Sequence, residues 1–268
     1  MRELCGEYPV SLVCSALEVP RSSFYYRATE RDDEEVIQQI LSIAAQFPRY
    51  GYRRITADLR RREYRVNRKK VLRIMRQNNL LVRQSKKPRT TTPAGGDYPN
   101  LVKELVINRP NQVWCGDVAY IKLKDKFAYF AFVMDAYTRA IKGWEISFSL
   151  DEELVVRALQ KAFEHSRPQI HHSDHGMQYL SDRYVSLLKQ AGVEISMAGK
   201  GRTWENGYAE RFIRTLKEEE VYLHEYEDIH DARAHIARFI EDVYMRRRVH
   251  SALGYLTPAE FEEKVLHL

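Results

Sequence analysis

A change of periodicity near residue 100 constrains this chain most. From Gln112 onward the segments QVWCGDVAYIKL, KFAYFAFVMDAY and AIKGWEISFS are rich in β-branched and aromatic residues and are separated by short polar turns around KDK and TRA. Such segments favour strands, and turns this short favour an antiparallel three-strand meander. The pattern then alternates. DEELVVRALQKAFEHS reads as a helix with an acidic start, QIHHS as a short strand, SDRYVSLLKQAG as a helix stopped by Gly192, VEISM as a strand, and about Glu205 to Tyr222 as a long helix. This order fits an α/β domain: a mixed five-stranded sheet with flanking helices.

Before that change the chain reads as small all-helical modules. Residues 1–30 form a short helix-turn-helix-like segment, with a helix around Val10–Leu17, a turn through Glu18–Pro20 and a second helix opened by Ser22 or Ser23. In residues 31–83, Val36, Ile40, Ile43, Ala44 and Phe47 recur at helical spacing until Pro48. Ile55 and Leu59 mark the next apolar face, REYRVN makes a turn, and Asn67 caps a helix whose apolar stripe is Val71, Leu72, Met75 and Leu80. Residues 84–107 hold the linker, polar and rich in Pro, Thr and Gly from Gln84 to about Asn100. The α/β core spans 108–225, and 226–268 is a helical, basic extension.

Charge gives the helical part its partner. The chain carries a formal +6, yet residues 49–89 alone hold sixteen Lys and Arg against Asp58 and Glu63, a local +14 against −8 elsewhere. Such asymmetry most often faces a polyanion. Arg68, Lys69, Lys70 and Arg73, with Arg53 and Arg54 on the preceding helix, are candidates for a DNA groove or backbone; a solvated helix face is the alternative. Arg246, Arg247 and Arg248, beside His250, form a second basic cluster suited to phosphates. Three widely spaced cysteines argue against a disulfide framework or a CxxC zinc site. No apolar run approaches the ~20 residues of a membrane span, and the first ten residues do not resemble a secretory signal, so no membrane partner and a cytoplasmic location are expected.

Three acids stand out against this layout. Asp117 lies mid-way along the first strand and Asp174 just past the fourth; were those strands parallel neighbours, the two would meet at one sheet edge. Glu210, one to two turns into the last helix, could close the cluster. It shares a stripe with Arg214 and Lys217, beside a core stripe of Ala209, Phe212, Ile213 and Leu216. A salt-bridged surface face is the alternative for that stripe. Three converging carboxylates repel one another unless cations intervene, which points to hard divalent ions. Two magnesium ions, roughly 3.5–4 Å apart, could activate an attacking oxygen and stabilise a leaving one at a phosphodiester.

Nearby residues have subsidiary readings. His171, His172 and His175 lack the further ligands of a zinc site, and His172 could orient Asp174 as a supporting group. Asp135 rivals Asp117, although a turn or capping role accounts for it, and Asp182 fits the first turn of a helix. In the loop GKGRTWENG, Trp204 could pack or stack on a base, and Arg211 and Arg214 on the following helix could face DNA.

The thirty-five residues between Asp174 and Glu210 resemble the Asp, Asp, thirty-five, Glu pattern of the retroviral integrase superfamily. In more detail, YGYRRITADLRRREYRVNRKKVLRIMR, PNQVWCGDVAYIKL, HHSDHGMQYLS, ISMAGKGRTWENGYAERFIRTLKEE and HSALGYLTPAEF, in that order, resemble the OrfB-type transposases of the IS-three group of bacterial insertion sequences. The resemblance implies an RNase H-like core with Asp117, Asp174 and Glu210 as catalytic ligands of magnesium or manganese. It also implies that Lys217 contacts transposon-end DNA. Water would attack in nicking and the freed 3′-hydroxyl in strand transfer. Double-stranded DNA, as transposon ends and target, is the implied partner in the bacterial cytosol at the nucleoid. A homodimer or higher oligomer is implied too, along with an upstream portion from the first reading frame in many members. The sequence departs from the family's pattern at DVAY, where Thr is usual before Tyr, and at Tyr244-Met245, where Tyr-Asn is usual.

Overall fold

The computed structural model describes residues 4–25, 33–81, 98–199 and 203–266. Two compact units emerge, Met1–Gln39 and Ile40–Leu268. In the first, α1 (Val10–Ala16) and α2 (Arg21–Tyr25) follow the helix, turn and helix expected. Glu18 takes a left-handed φ of 50° in the turn, and the Val19 amide donates to Cys14 O at 3.0 Å. The break between the units falls inside α3 (Glu34–Gln46).

The second unit opens with a small helical core. Ile40 and Ile43 of α3, Ile55 and Leu59 of α4 (Tyr52–Arg61), and Val71, Ile74 and Met75 of α5 (Arg68–Gln77) are all buried. Leu72 and Leu80 are only partly buried, so the inward stripe of α5 includes Ile74 in place of Leu72. Asn67 caps α5 by accepting from the amides of Lys69 (2.7 Å) and Lys70 (3.3 Å), a contact worth about 1 kcal/mol. The cap fixes where α5 begins, and with it the exposed Arg68, Lys69 and Arg73.

The sheet order is β3-β2-β1-β4-β5. Strands β1 (Val113–Lys122), β2 (Phe127–Asp135) and β3 (Ile141–Ser147) form the antiparallel meander, while β4 (Ile170–Ser173) runs parallel to β1 and β5 (Glu194–Met197) parallel to β4. Side-chain alternation sends Val113, Cys115, Phe130 and Phe132 to one face, where they meet Phe212 and Leu216 of α8 (Gly207–Glu219) and Ile236 of α9 (Ile229–Arg238). Trp114, Ala131 and Val133 face the other way, into α6 (Glu152–Ala162) and α7 (Asp182–Gln190). On that side Gly143 lets α6 approach closely: a Cβ there would lie 2.3 Å from Ala158 O.

Helix α8 is shorter than its sequence suggests. Glu205 lies in a preceding 3-10 turn, Thr203–Asn206, because its carboxylate accepts from Asn100 Nδ2 (2.6 Å) and the Gly199 amide (2.8 Å). Glu210 therefore falls in the first turn of α8. Thr215 is buried and Ile213 only partly so, which rotates the core stripe slightly from the one expected. Helix α9 continues into a π-helical stretch, Phe239–Tyr244, and α10 (Pro258–Leu266) follows. Among the described residues no helix is long and apolar enough to cross a membrane.

Candidate active site

The parallel pairing of β1 with β4 sets the site. Cys115 is the register partner of His172, so Asp117 and Asp174, each two residues further on, stand level at the adjoining strands. Val118 N donates to Asp117 Oδ1 at 2.8 Å, and Gly176 N donates to Asp174 Oδ1 at 2.9 Å. A Cβ at Gly176 would lie 3.0 Å from Asp174 Oδ1 and 2.8 Å from Gln178 Oε1, so a side chain there would displace the ends of both. The start of α8 is pinned to β1 by Asn206, whose Nδ2 donates to Gly116 O at 3.0 Å, one residue before Asp117. Neither Asn206 nor Gly176 was singled out from the sequence. The signals were an Asn at a helix start and a Gly two places after the acid.

These supports bring Asp174, Glu210 and Lys217 within electrostatic range of Asp117. Burial, then the negative charge of Asp174, and more weakly that of Glu210, push the Asp117 carboxyl up to about 8; the Val118 amide and Lys217 oppose the shift. Burial also raises Asp174, against the Gly176 amide and His175. Lys217 is lowered by burial and raised by Asp117. The three acids are each partly buried, so they keep an opening to solvent. An oxygen-only donor set, with two of its carboxyls raised chiefly by burial, suits a hard divalent cation. Among the described residues, the one group of three possible ligands with all its atoms within 4.8 Å is a different one, Glu220, His224 and His235.

The histidines serve the scaffold. His172 Nδ1 pairs with Ser196 Oγ of β5 at 2.9 Å and makes no hydrogen bond to Asp174, in contrast to the orienting role expected of it. Burial holds its pKa down at about 4. His171 faces the other side of the sheet, where its Nε2 meets Tyr184 OH at 2.9 Å and burial lowers it to about 3. Asp135 accepts from the amides of Asn111, Tyr137 and Thr138, which is a turn-holding role.

The basic candidates divide. Arg53, Arg68, Lys69, Arg73, Arg211, Arg246 and Arg247 are exposed, while Arg54, Lys70 and Arg214 are partly buried. Arg248 differs from its neighbours: it is buried, with Nε and Nη2 on the Glu219 carboxylate at 2.7 and 2.8 Å, so it faces inward and the expected row of three surface arginines is reduced to two. The reason is a partner twenty-nine residues away on α8. The Trp204 side chain lies outside the described residues.

Known families place the chain. Residues 107–203 match the integrase core domain, residues 191–258 match a second integrase core domain family, and residues 30–88 match an HTH-like domain. The chain is 35% identical over 222 residues to the transposase for insertion sequence element IS904 of Lactococcus lactis, covering 80% of this chain and 88% of that one. It is 33% identical over 279 residues to the putative transposase InsK for insertion sequence element IS150 of Escherichia coli, covering 98% and 97%. The fold is similar to that in a simian T-cell lymphotropic virus intasome, with a TM-score of 0.50, 15% identity and coverage of 83% of this chain and 73% of that one. The five-stranded sheet is thus the RNase H-like core of an integrase, preceded by an HTH-like helical region, and the chain belongs to the IS3 family of insertion-sequence transposases, polynucleotidyl transferases with an integrase core.

Proposed function

We propose that the chain performs metal-dependent DNA cleavage and strand transfer for its insertion sequence, with Asp117, Asp174 and Glu210 as ligands of magnesium or manganese. The observation that carries this reading is the convergence of the acids, Asp117 and Asp174 on the β1–β4 register with Glu210 in the first turn of α8: burial first, then the charge of Asp174 and more weakly that of Glu210, raise Asp117 to about 8. Divalent cations bound there, two in the fullest form of the reading, would polarise the scissile phosphate and lower the pKa of an attacking hydroxyl. The protein's own part is to hold the carboxylates level, to keep the buried His171 and His172 neutral and to offer Lys217 to a phosphate. Residues 31–83 act as the DNA-binding module, 108–225 as the catalytic core and 226–268 as a basic extension, at the bacterial nucleoid. Two transposon ends must be handled together, which favours a dimer or higher oligomer on DNA.

The test is strand transfer by the purified chain on the inverted repeats that flank its gene, with Mg²⁺ supplied. Asp174→Asn and Glu210→Gln are expected to abolish cleavage and joining while end binding persists, because phosphate contacts elsewhere keep their attraction. An active Glu210→Gln protein would remove the triad from the reaction.

A further inference from the structure

A cavity of about 450 Å³ lies beside α8. Its α8 lining, Gly207, Tyr208, Arg211, Phe212 and Thr215, sits about 60–160° around the helix from Glu210, at 100° per residue, so most of the cavity lies around the helix from the carboxylates and it comes nearest them at Gly207. Four arginines from separate elements reach it: Arg54 from α4, Arg139 from the turn between β2 and β3, Arg211 from α8, and Arg248. All four lie close enough to His250 to depress its pKa, after burial, so the imidazole stays neutral.

Only one of these cations is neutralised in place. Arg248 has Glu219, whereas Arg54, Arg139 and Arg211 make no ion pair among the described residues. Arg139 stacks on the Tyr208 ring at 4.1 Å, and its Nη1 is buried without a hydrogen-bond partner. Arg54 is partly buried over the Tyr50 ring, and burial, then Arg248 and Arg211, push its pKa down. Glu205, also in the lining, is engaged by Asn100 and the Gly199 amide. An arginine cannot shed its proton, so bringing Arg54 and Arg139, both partly buried, together with the buried Arg248 is costly until an anion joins them.

We propose that this cavity seats a backbone phosphate of a DNA strand, and that the strand thereby passes between the α4 helix and the catalytic core. The inference rests on DNA being the substrate. Arginine is suited to phosphate through its planar fork of donors, and the cavity is roomier than a lone phosphate requires. A strand held there lies across α8 from the carboxylates, on the order of 10 Å away, the width of a helix. The phosphate concerned therefore belongs to a linkage near the reacting one and is not itself the reacting one.

The experiment uses the full chain and a duplex carrying its own inverted repeat. Arg139→Gln is expected to lower the slope of log affinity against log salt by about one, because one phosphate contact releases about one counterion. A neutral methylphosphonate is then placed at each linkage in turn. One linkage near the cleavage position should cost the wild type as much as Arg139→Gln does, and should cost the variant nothing more. Arg54→Gln, measured alongside with its thermal midpoint, serves where Arg139→Gln is poorly folded. Inorganic phosphate, compared with chloride at matched ionic strength, should stabilise the wild type and not the variant. Unchanged salt slopes in both folded variants would overturn the proposal. So would phosphate binding accompanied by a flat methylphosphonate scan, which would assign the cavity to a free phosphate-bearing ligand. The wild type's own strand transfer in the same preparation reports separately on the proposed function.

Discussion

On one side of α8 stand Asp117, Asp174 and Glu210; on the other, Arg54, Arg139, Arg211 and Arg248 converge on His250. Both are clusters of like charge in partly dry surroundings, and the protein treats them differently. The arginine cluster has an internal counter-ion in Glu219, held bidentately. The acidic cluster has backbone amides at Asp117 and Asp174 and the longer-range field of Lys217, and no fixed ion pair among the described residues. The difference teaches which cluster is built to be completed from outside by cations, and which is only partly open to an anion.

The largest effect expected follows from the acidic side. Asp117→Asn should abolish catalysis and, in chelator-treated buffer near neutral pH, raise the thermal midpoint, because a carboxyl raised to about 8 must take up a proton on folding that it does not hold in the unfolded chain, and an amide bears no such cost. Added Mg²⁺ should stabilise the wild type and leave Asp117→Asn unmoved. Paired melting curves with and without Mg²⁺ measure this, and a variant stabilised by Mg²⁺ as strongly as the wild type would break the contrast between the two clusters.

The opposite sign is expected across α8. Glu219 and Arg248 are both nearly inaccessible, so Glu219→Gln leaves a buried guanidinium without its counter-charge and should cost about 3–5 kcal/mol of stability. Denaturant unfolding gives the value. A cost below about 1 kcal/mol, the range of an exposed pair, would show that water or the other residues of the cavity already solvate Arg248.

Lys217 probes the boundary between the clusters. It lies seven residues, nearly two turns, after Glu210 on the same line of α8, and its charge reaches Asp117. Lys217→Ala should weaken binding of the cleaved end and strand transfer by about tenfold, some 1.4 kcal/mol, a size in keeping with one lost charge-assisted contact. Metal binding at the acids, read by calorimetry, should persist. Loss of metal affinity together with DNA binding would make Lys217 part of the metal site.

What was legible in the sequence was local or periodic. Segment boundaries placed Asp117 within the first strand and Asp174 just past the fourth, an Asn before a basic run located the start of α5, and strand and helix order pointed to a mixed sheet, while the β1–β4 neighbouring that brings the two acids together was only a condition. What was hidden depends on partners distant in the chain. Nothing near Arg248 reveals Glu219, and nothing near Tyr50 reveals that its hydroxyl accepts from Val249 N at 2.8 Å, 199 residues on. The arginine cavity is assembled from such pairings, so Arg139 read only as part of a turn. His172 shows the same limit: two places from Asp174 it looked like a supporting group, but the neighbouring β5 supplies Ser196 as its partner.

The smallest effect concerns the brace that holds α4, and with it Arg54, against the rest of its unit. Thr257 and Glu260 form a capping box at the start of α10: the Glu260 amide donates to Thr257 Oγ1 at 3.2 Å and the Thr257 amide to Glu260 Oε2 at 2.9 Å. The same carboxylate accepts from Arg61 Nη1 of α4 at 2.9 Å. Arg61 first, and the Thr257 amide after it, hold Glu260 down at about 2, against the opposing effect of burial. A carboxylate with a folded pKa below its unfolded value adds stability above the unfolded pKa of 4.5 and loses it as pH falls through about 2. More than a third of each side chain is exposed, so solvent screening limits the contribution to about 1 kcal/mol or less. Between pH 5 and pH 2 the thermal midpoint of the wild type should therefore fall further than that of Glu260→Gln, and the two should converge at the acid end. Near neutral pH the substitution should weaken DNA binding only slightly, through the position of Arg54, while strand-transfer chemistry at bound ends is unchanged. Parallel acid curves for the two proteins would mean that the Arg61 tie adds nothing and that α4 is held by its buried contacts alone.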